Sequence, residues 1–479
     1  AALRLLLLGS KSIWVDEAYA IGLAQMDLPD LLRLSASATP HPPLFFLVLK
    51  LSGSLFGSTA TGLRLLPALI SASSVLPLFM FLRRRFSLWS AFWVSCLWAV
   101  CPYAVSLAQE AWVYGLLAAA TIWAIDLADR AWRGSRRALA AFLLVSWAGF
   151  LVQPLFALSY LAALALWLTL PPRSRCPARN PLIALAAGAA GLAVALIPCM
   201  DFIGASAERK AAAGFYAGRL AALPGELATT MARLLPDGLF PEITRNLLER
   251  PRMMTAVVLV MLLETGALVF ALTSRALRRP LRLWVLGVLL GSAAAAVPLV
   301  AGARPFSLLW APLAVALALV FSRWRPAGPA CVLLTGLALV PYYCAGSHPY
   351  HRSDWSAAVR LVESRIDTSS ERVLVLSGQS GGIAWDFYSS SPGRRVALGA
   401  DENPYRPRSV RDAEQRSPSA ALDSLLLDGT DVWLVIDLWG GRPPLDLPPP
   451  SGRIGLDTLV SECMRVVRLD SQCQQERSH

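Results

Sequence analysis

Apolar residues in this chain are gathered into blocks at 62–82, 88–107, 111–129, 138–151, 154–170, 181–200, 253–273, 282–302, 305–322 and 328–346, divided by short polar connectors. A hydrocarbon layer takes roughly 20 residues of helix to cross, which is the length of these blocks. Composition agrees: of 479 residues, 55% are hydrophobic and only 16% charged, with a mean hydropathy of +0.51. An ordinary soluble enzyme is excluded, and the expectation is a polytopic α-helical membrane protein.

The basic residues give the blocks an orientation. Arg83, Arg84 and Arg85, then Arg130, Arg133, Arg136 and Arg137, then Arg173, Arg175 and Arg179, then Arg275, Arg278, Arg279 and Arg282, then Arg323 and Arg325 fall in every second connector. The alternate connectors, around 103–110, 152–153 and 302–304, carry almost no positive charge. The positive-inside rule places the basic set in the cytoplasm. The net charge of +12 is thereby read as a topology signal, and nucleic acid is not expected as a partner, because the arginines line no single helical face.

Between the blocks lie four regions expected outside. The opening AALRLLLLGS reads as the second half of a membrane helix, so the chain is expected to begin inside a longer sequence. A loop at 10–61 follows, in which PPLFFLVLKLSGSLFG is too short to cross and is read as a juxtamembrane helix. The short loop near Gln109 and a long loop at 201–252 come next. Residues 347–479 form the fourth region, where Ser, Asp, Arg and Pro replace the apolar blocks. The runs RVLVLS (372–377) and DVWLVIDLW (431–439), separated by the helical-looking RDAEQRSPSAALDSLLLDG, predict a small α/β domain there. The expected organisation is a transmembrane domain over 1–346, with about 11 transmembrane helices plus juxtamembrane helices, and an extracytoplasmic α/β domain over 347–479.

Eight cysteines show no metal-ligand spacing. Cys96, Cys101, Cys199 and Cys331 lie in apolar surroundings and read as buried thiols, whereas Cys463 and Cys473 lie in the polar tail, where an oxidising compartment would let them pair.

Candidate chemistry concentrates in the loop at 10–61. In SIWVDEAYAIGLA (12–24), the adjacent carboxylates Asp16 and Glu17 stand just after a membrane helix, between Trp14 and Tyr19. A carboxylate beside low-dielectric material is a stronger proton acceptor, which suits a general base. An acid pair at a solvated helix N-terminus is the alternative. His41, Arg64 at the start of the next span, and Gln109, Glu110 and Tyr114 in the next uncharged connector all fall on the same side of the derived topology, so an external pocket is expected.

These motifs in this order, Trp-x-Asp-Glu-Ala-Tyr at 14–19, His-Pro-Pro-Leu at 41–44, Leu-Arg-Leu-x-Pro at 63–67, Arg-Arg-Arg-Phe at 83–86, Cys-Pro-Tyr with Gln-Glu-Ala-x-x-Tyr over 101–114, Ala-Arg-Pro-Phe-Ser-Leu-Leu at 303–309 and Ser-Asp-Trp-Ser-Ala-Ala-Val at 353–359, resemble the GT-C class of polyprenol-dependent glycosyltransferases, in the bacterial branch of protein mannosyltransferases and lipid A aminoarabinose transferase. The resemblance implies an inverting glycosyltransferase of the bacterial inner membrane. Its donor would be a polyprenyl-phosphate-linked sugar and its acceptor a lipid, glycan or protein of the cell envelope. Asp16 would be the catalytic base with Glu17 shaping the site, His41 and Glu110 would line the cavity, and Arg304 would hold the carrier phosphate, with Arg64 as helper or interfacial anchor. Two positions depart from the family: many members have arginine where this chain has Trp112 and histidine where it has Gln153. A divalent metal assists some relatives, but His41, His348, His351 and His479 show no ligand spacing. The competing readings are a transporter or flippase, which would rest on Glu264 as the one clear acid deep in a span, and a non-catalytic member of the same family.

Overall fold

The computed structural model describes residues 2–37, 41–171, 175–200, 204, 262, 266–275, 278–288, 310–344, 354–366, 371–376, 381–391, 394–396, 422, 424–426, 428, 430–437, 453–461 and 464–470. The chain divides into two compact units, Ala1–Leu8 with Pro29–Pro349, and Gly9–Leu28 with Tyr350–His479.

The first unit is a bundle. After the short α1 (Ala2–Leu5) and, beyond the inserted segment, α3 (Leu28–Ser37), it runs through α4 (Leu44–Phe56), α5 (Ala60–Ser73), α6 (Val75–Arg85), α7 (Leu88–Val100), α8 (Pro102–Ala108), α9 (Val113–Trp132), α10 (Arg136–Val152), α11 (Phe156–Ala165) with a 3-10 turn over Leu166–Thr169, and α12 (Arg179–Leu196). Later come helical stretches at 266–273 and 279–288, then α13 (Trp310–Arg323) and α14 (Ala327–Cys344). Hydroxyl caps start several of these helices: Thr59 accepts from the Gly62 N–H, Ser87 from Ser90 and Ser135 from Ala138, each at 3.2 Å.

Ala60–Arg85, 26 residues, and Arg179–Cys199, 21 residues, are long and apolar enough to cross a membrane by length and composition. The helix at 44–56 has 13 residues, too short for that, as expected of a juxtamembrane element. The expected span 88–107 is interrupted, because Pro102 supplies no N–H to continue α7 and the chain restarts as α8. The opening segment is helical only to Leu5.

Helix α9 is the axis of the unit, buried along nearly its whole length and packed by α5, α6, α10 and α11. At its basic end the arginines expected as topology signals also form an ion-pair network. Asp126 and Asp129, 2% and 0% exposed, receive Arg84 at 2.5 and 2.8 Å, Arg85 at 2.6 Å, Arg130 at 2.8 Å and Arg133 at 3.3 Å. Arg85 also donates to the Thr169 hydroxyl at 2.9 Å, tying α6 and α9 to the end of α11. Guanidinium planes suit such shared carboxylates because each offers several donors in a fixed fork.

The second unit contains α2 (Val15–Gln25), α15 (Trp355–Glu363), β1 (Arg372–Leu376), α16 (Gly381–Tyr388), β2 (Arg395–Val396), β3 (Val432–Asp437), β4 (Arg453–Ser461) and β5 (Met464–Asp470). The strands form one sheet in the order β2-β1-β3-β5-β4. β1 runs parallel to β2 and β3, with Arg372 opposite Val432, and β5 runs antiparallel to β3 and β4. The expected strand runs at 372–377 and 431–439 thus become adjacent strands. Leu374, Leu376, Val432, Leu434, Ile436, Val467 and Leu469 pack with Leu422 and Leu426 in one core. Cys463 and Cys473 lie outside the described residues.

Candidate active site

His41 opens the chain into α4 and is buried among aromatic side chains. Its ring meets Trp112 in a T-shaped pair, 5.1 Å between centroids and 81° between planes, and Phe45 meets the same Trp112 at 6.2 Å. The side-chain amide nitrogen of Gln153, the residue that closes α10, lies 3.2 Å from His41 Nδ1. Burial pulls the imidazole down to about 4 from its ordinary 6.5, so His41 is neutral at physiological pH. With the Gln153 amide donating to Nδ1, the neutral ring carries its proton on Nε2 and acts there as a donor.

Arg64 and Gln109 are buried and hold the N-terminal segment of the same unit. Arg64 Nη1 donates to the Leu8 carbonyl at 3.0 Å, while the Gln109 amide donates to the Leu3 and Leu6 carbonyls at 3.2 and 2.9 Å. These bonds flank Leu7, whose φ of 54° is the left-handed conformation that L side chains adopt at a cost. They also serve carbonyls at and beyond the end of α1. Arg4, which nothing in the sequence singled out, completes the anchoring: it is buried and donates to the Ser71 carbonyl and hydroxyl at 2.6 and 2.8 Å and to the Trp98 carbonyl at 3.1 Å. Its guanidinium lies 5.1 Å from the Trp98 ring centre.

Glu110 is 5% exposed in the turn between α8 and α9, and Tyr114 is half-buried on the first turn of α9. The close approach of the end of α8 to α9 depends on Gly115, where a Cβ would stand 2.6 Å from the Leu107 carbonyl oxygen.

Asp16 and Glu17 belong to the second unit, on the first turn of α2. Glu17 is fully buried and its carboxylate accepts from the Trp14 N–H at 3.3 Å, reaching back across the helix start as one half of a capping box. Asp16 is half-buried beside it. Helix α2 packs on α16, the Ile13 N–H donates to the Tyr388 hydroxyl at 2.7 Å, and the Ser356 N–H donates to the Ser12 hydroxyl at 3.3 Å. Tyr388 and Ser356 are more than 340 residues away from these partners in sequence, and no local signal marks them.

Among the residues expected at the site, the structure therefore brings His41 together with Trp112 and Gln153, and Arg64 and Gln109 together on residues 3–8. Arg304 lies outside the described residues, as does Glu264. Among the described residues no group of three His, Cys, Asp or Glu side chains is placed to share a metal ion.

The family model described as dolichyl-phosphate-mannose-protein mannosyltransferase matches residues 40–200, the stretch that holds His41, Arg64, Gln109, Glu110, Trp112, Tyr114 and Gln153. The crystal structure of ArnT from Cupriavidus metallidurans in the apo state superposes with a TM-score of 0.50 at 13% identity, over 98% of this chain and 96% of that one. This is a GT-C fold. It makes the protein a multi-pass membrane protein. The undecaprenyl-phosphate-bound ArnT from the same organism aligns over the same shares at 13% identity with a TM-score of 0.49. The arabinofuranosyltransferase AftD from Mycobacteria aligns at 16% identity over 98% of this chain and 39% of that one, with a TM-score of 0.47. No curated protein matches the GT-C chain in sequence.

Proposed function

We propose that this GT-C protein is an inverting glycosyltransferase that moves a sugar from a polyprenyl-phosphate carrier to a cell-envelope acceptor on the outer face of the inner membrane. The observation that carries the reading is the buried His41–Gln153–Trp112 cluster inside the segment matched by the mannosyltransferase model: a neutral donor imidazole held by an amide and packed T-shaped against an indole. Sugars are bound by such combinations, fixed polar groups taking the hydroxyls and aromatic rings packing on the C–H surface.

The reaction is a single in-line displacement at the anomeric carbon. Asp16 takes the proton of the acceptor hydroxyl, the acceptor oxygen forms its bond to that carbon, and the bond to the carrier phosphate breaks with its electron pair on the phosphate oxygen. Arg304 stabilises the departing phosphate, because a guanidinium offers paired donors to the charge as it develops. Glu17 fixes the start of α2 and so the direction of Asp16. Arg64 and Gln109 hold residues 3–8 and act by positioning.

The test is transfer of labelled sugar from a panel of polyprenyl-phosphate donors in membranes that contain wild type or Asp16→Asn. Transfer by wild type that disappears in the variant supports the reaction class and the base together. Equal rates would remove Asp16 as the base, and no transfer from any donor would remove the transferase reading.

A further inference from the structure

Helix α11 and the helix at 279–288 enclose a groove of about 540 Å³ in the first unit. Its walls are apolar, formed by Leu158, Leu161, Ala165 and Leu168 on one side and Leu283 and Val288 on the other. Trp284 clamps the two helices, donating its indole N–H to the Ala162 carbonyl at 2.7 Å. Leu161, Leu168 and Leu283 are 54%, 57% and 59% exposed. In a membrane protein such a face meets lipid.

Among the described lining residues the charged one is Arg279, at the start of the 279–288 helix, beside Arg275, Arg278 and Arg282. In the other large basic cluster, Arg84, Arg85, Arg130 and Arg133 are each ion-paired with Asp126 or Asp129. Among the described residues, no carboxylate forms an ion pair with Arg275, Arg278, Arg279 or Arg282. An apolar groove with an exposed guanidinium where its helix leaves the apolar block has the layout of a bound phospholipid: acyl chain along the groove, phosphate at the arginine.

We propose that this groove is a binding site for one anionic phospholipid of the leaflet on the basic side of the bundle, its phosphate held by Arg279 and an acyl chain lying along α11. The sugar carrier is the other lipid phosphate to consider. Its phosphate is assigned above to Arg304, in a connector of the opposite, uncharged set, and only that exclusion rests on the proposed function.

The test is native mass spectrometry of the full chain in neutral detergent, offered phosphatidylglycerol and phosphatidylcholine with matched acyl chains, and separately undecaprenyl phosphate. Wild type is expected to retain phosphatidylglycerol about fivefold better than phosphatidylcholine, the worth of one basic side chain at a lipid surface. Arg279→Ala should erase the preference, Ala165→Phe should reduce retention of both lipids by filling the groove, and Arg137→Ala, at an exposed basic connector elsewhere, should change neither. A preference that survives in Arg279→Ala overturns the proposal, as does retention unaffected by Ala165→Phe. Displacement of phosphatidylglycerol by undecaprenyl phosphate with the same dependence on Arg279 would give the groove to the carrier instead, and a dimer lost on Ala165→Phe would give it to a second copy of the chain.

Discussion

The amide nitrogen of Gln153 lies 3.2 Å from Nδ1 of His41, across 112 positions of sequence. Gln153 and Trp112, the two positions where the sequence departs from the motifs it resembles, both meet His41. The departures thus share one neighbourhood, as substitutions that reshape a single subsite would. Gln153→Leu keeps the volume and removes the amide's hydrogen bond to His41 Nδ1, at a cost of about 1–3 kcal/mol. Loss of sugar transfer by roughly five- to hundredfold in kcat/KM is expected, measured with the donor that wild type uses. An unchanged kcat/KM would detach His41 from sugar binding.

His41 also sets a pH dependence. Its folded value of about 4 lies below the ordinary 6.5, so the unfolded chain binds the proton more readily than the folded one. The stability this group contributes is fully present above pH 6.5 and is lost as pH falls toward 4, by roughly 3 kcal/mol in total. Thermal unfolding in detergent between pH 7 and 4.5 should show a steeper decline for wild type than for His41→Asn. Parallel curves would contradict a buried neutral imidazole.

Glu17 and Asp16 are adjacent but are expected to separate in their effects. Glu17→Ala removes the carboxylate that accepts from the Trp14 N–H and should lower stability by about 1 kcal/mol, with partial loss of transfer. Asp16→Asn should abolish transfer with little change in melting temperature. The pair of melting curves and initial rates decides the matter, and an inverted pattern would assign the base to Glu17.

Asp129→Asn tests the ion-pair network at the basic end of α9. Arg84, Arg85 and Arg133 would lose the fully buried carboxylate they share, and breaking a buried pair from one side costs about 3–5 kcal/mol. The expected readout is a marked fall in folded yield and melting temperature. A variant as stable as wild type would show that the ion pairs of Asp129 add no net stability.

Gly115→Ala probes the turn that carries Gln109 and Glu110. The added methyl would stand 2.6 Å from the Leu107 carbonyl oxygen, which is backbone and yields only if the turn moves. Reduced transfer with a modest loss of stability is expected from the same rate and melting assays.

Much of this protein was legible in the order of its residues. Periodic apolar blocks announce a polytopic helical membrane protein because hydrocarbon imposes a fixed helix length, and the fold agrees with that class. Two apolar runs in a polar tail identified two strands, β1 and β3, because buried strands announce themselves by composition, though not that they pair. Pairing across distance was not legible. Nothing near His41 in sequence points to Gln153, nothing near Arg4 points to Ser71 and Trp98, and nothing near Ile13 points to Tyr388. Arg64 and Gln109 read as pocket residues from their side of the membrane, whereas the fold supplies them with backbone carbonyls of residues 3–8. Solvent preference and helix length are local properties that a sequence states by itself. Which buried donor meets which acceptor is decided only when separate elements pack, because burial obliges each polar group to find a partner wherever the fold provides one.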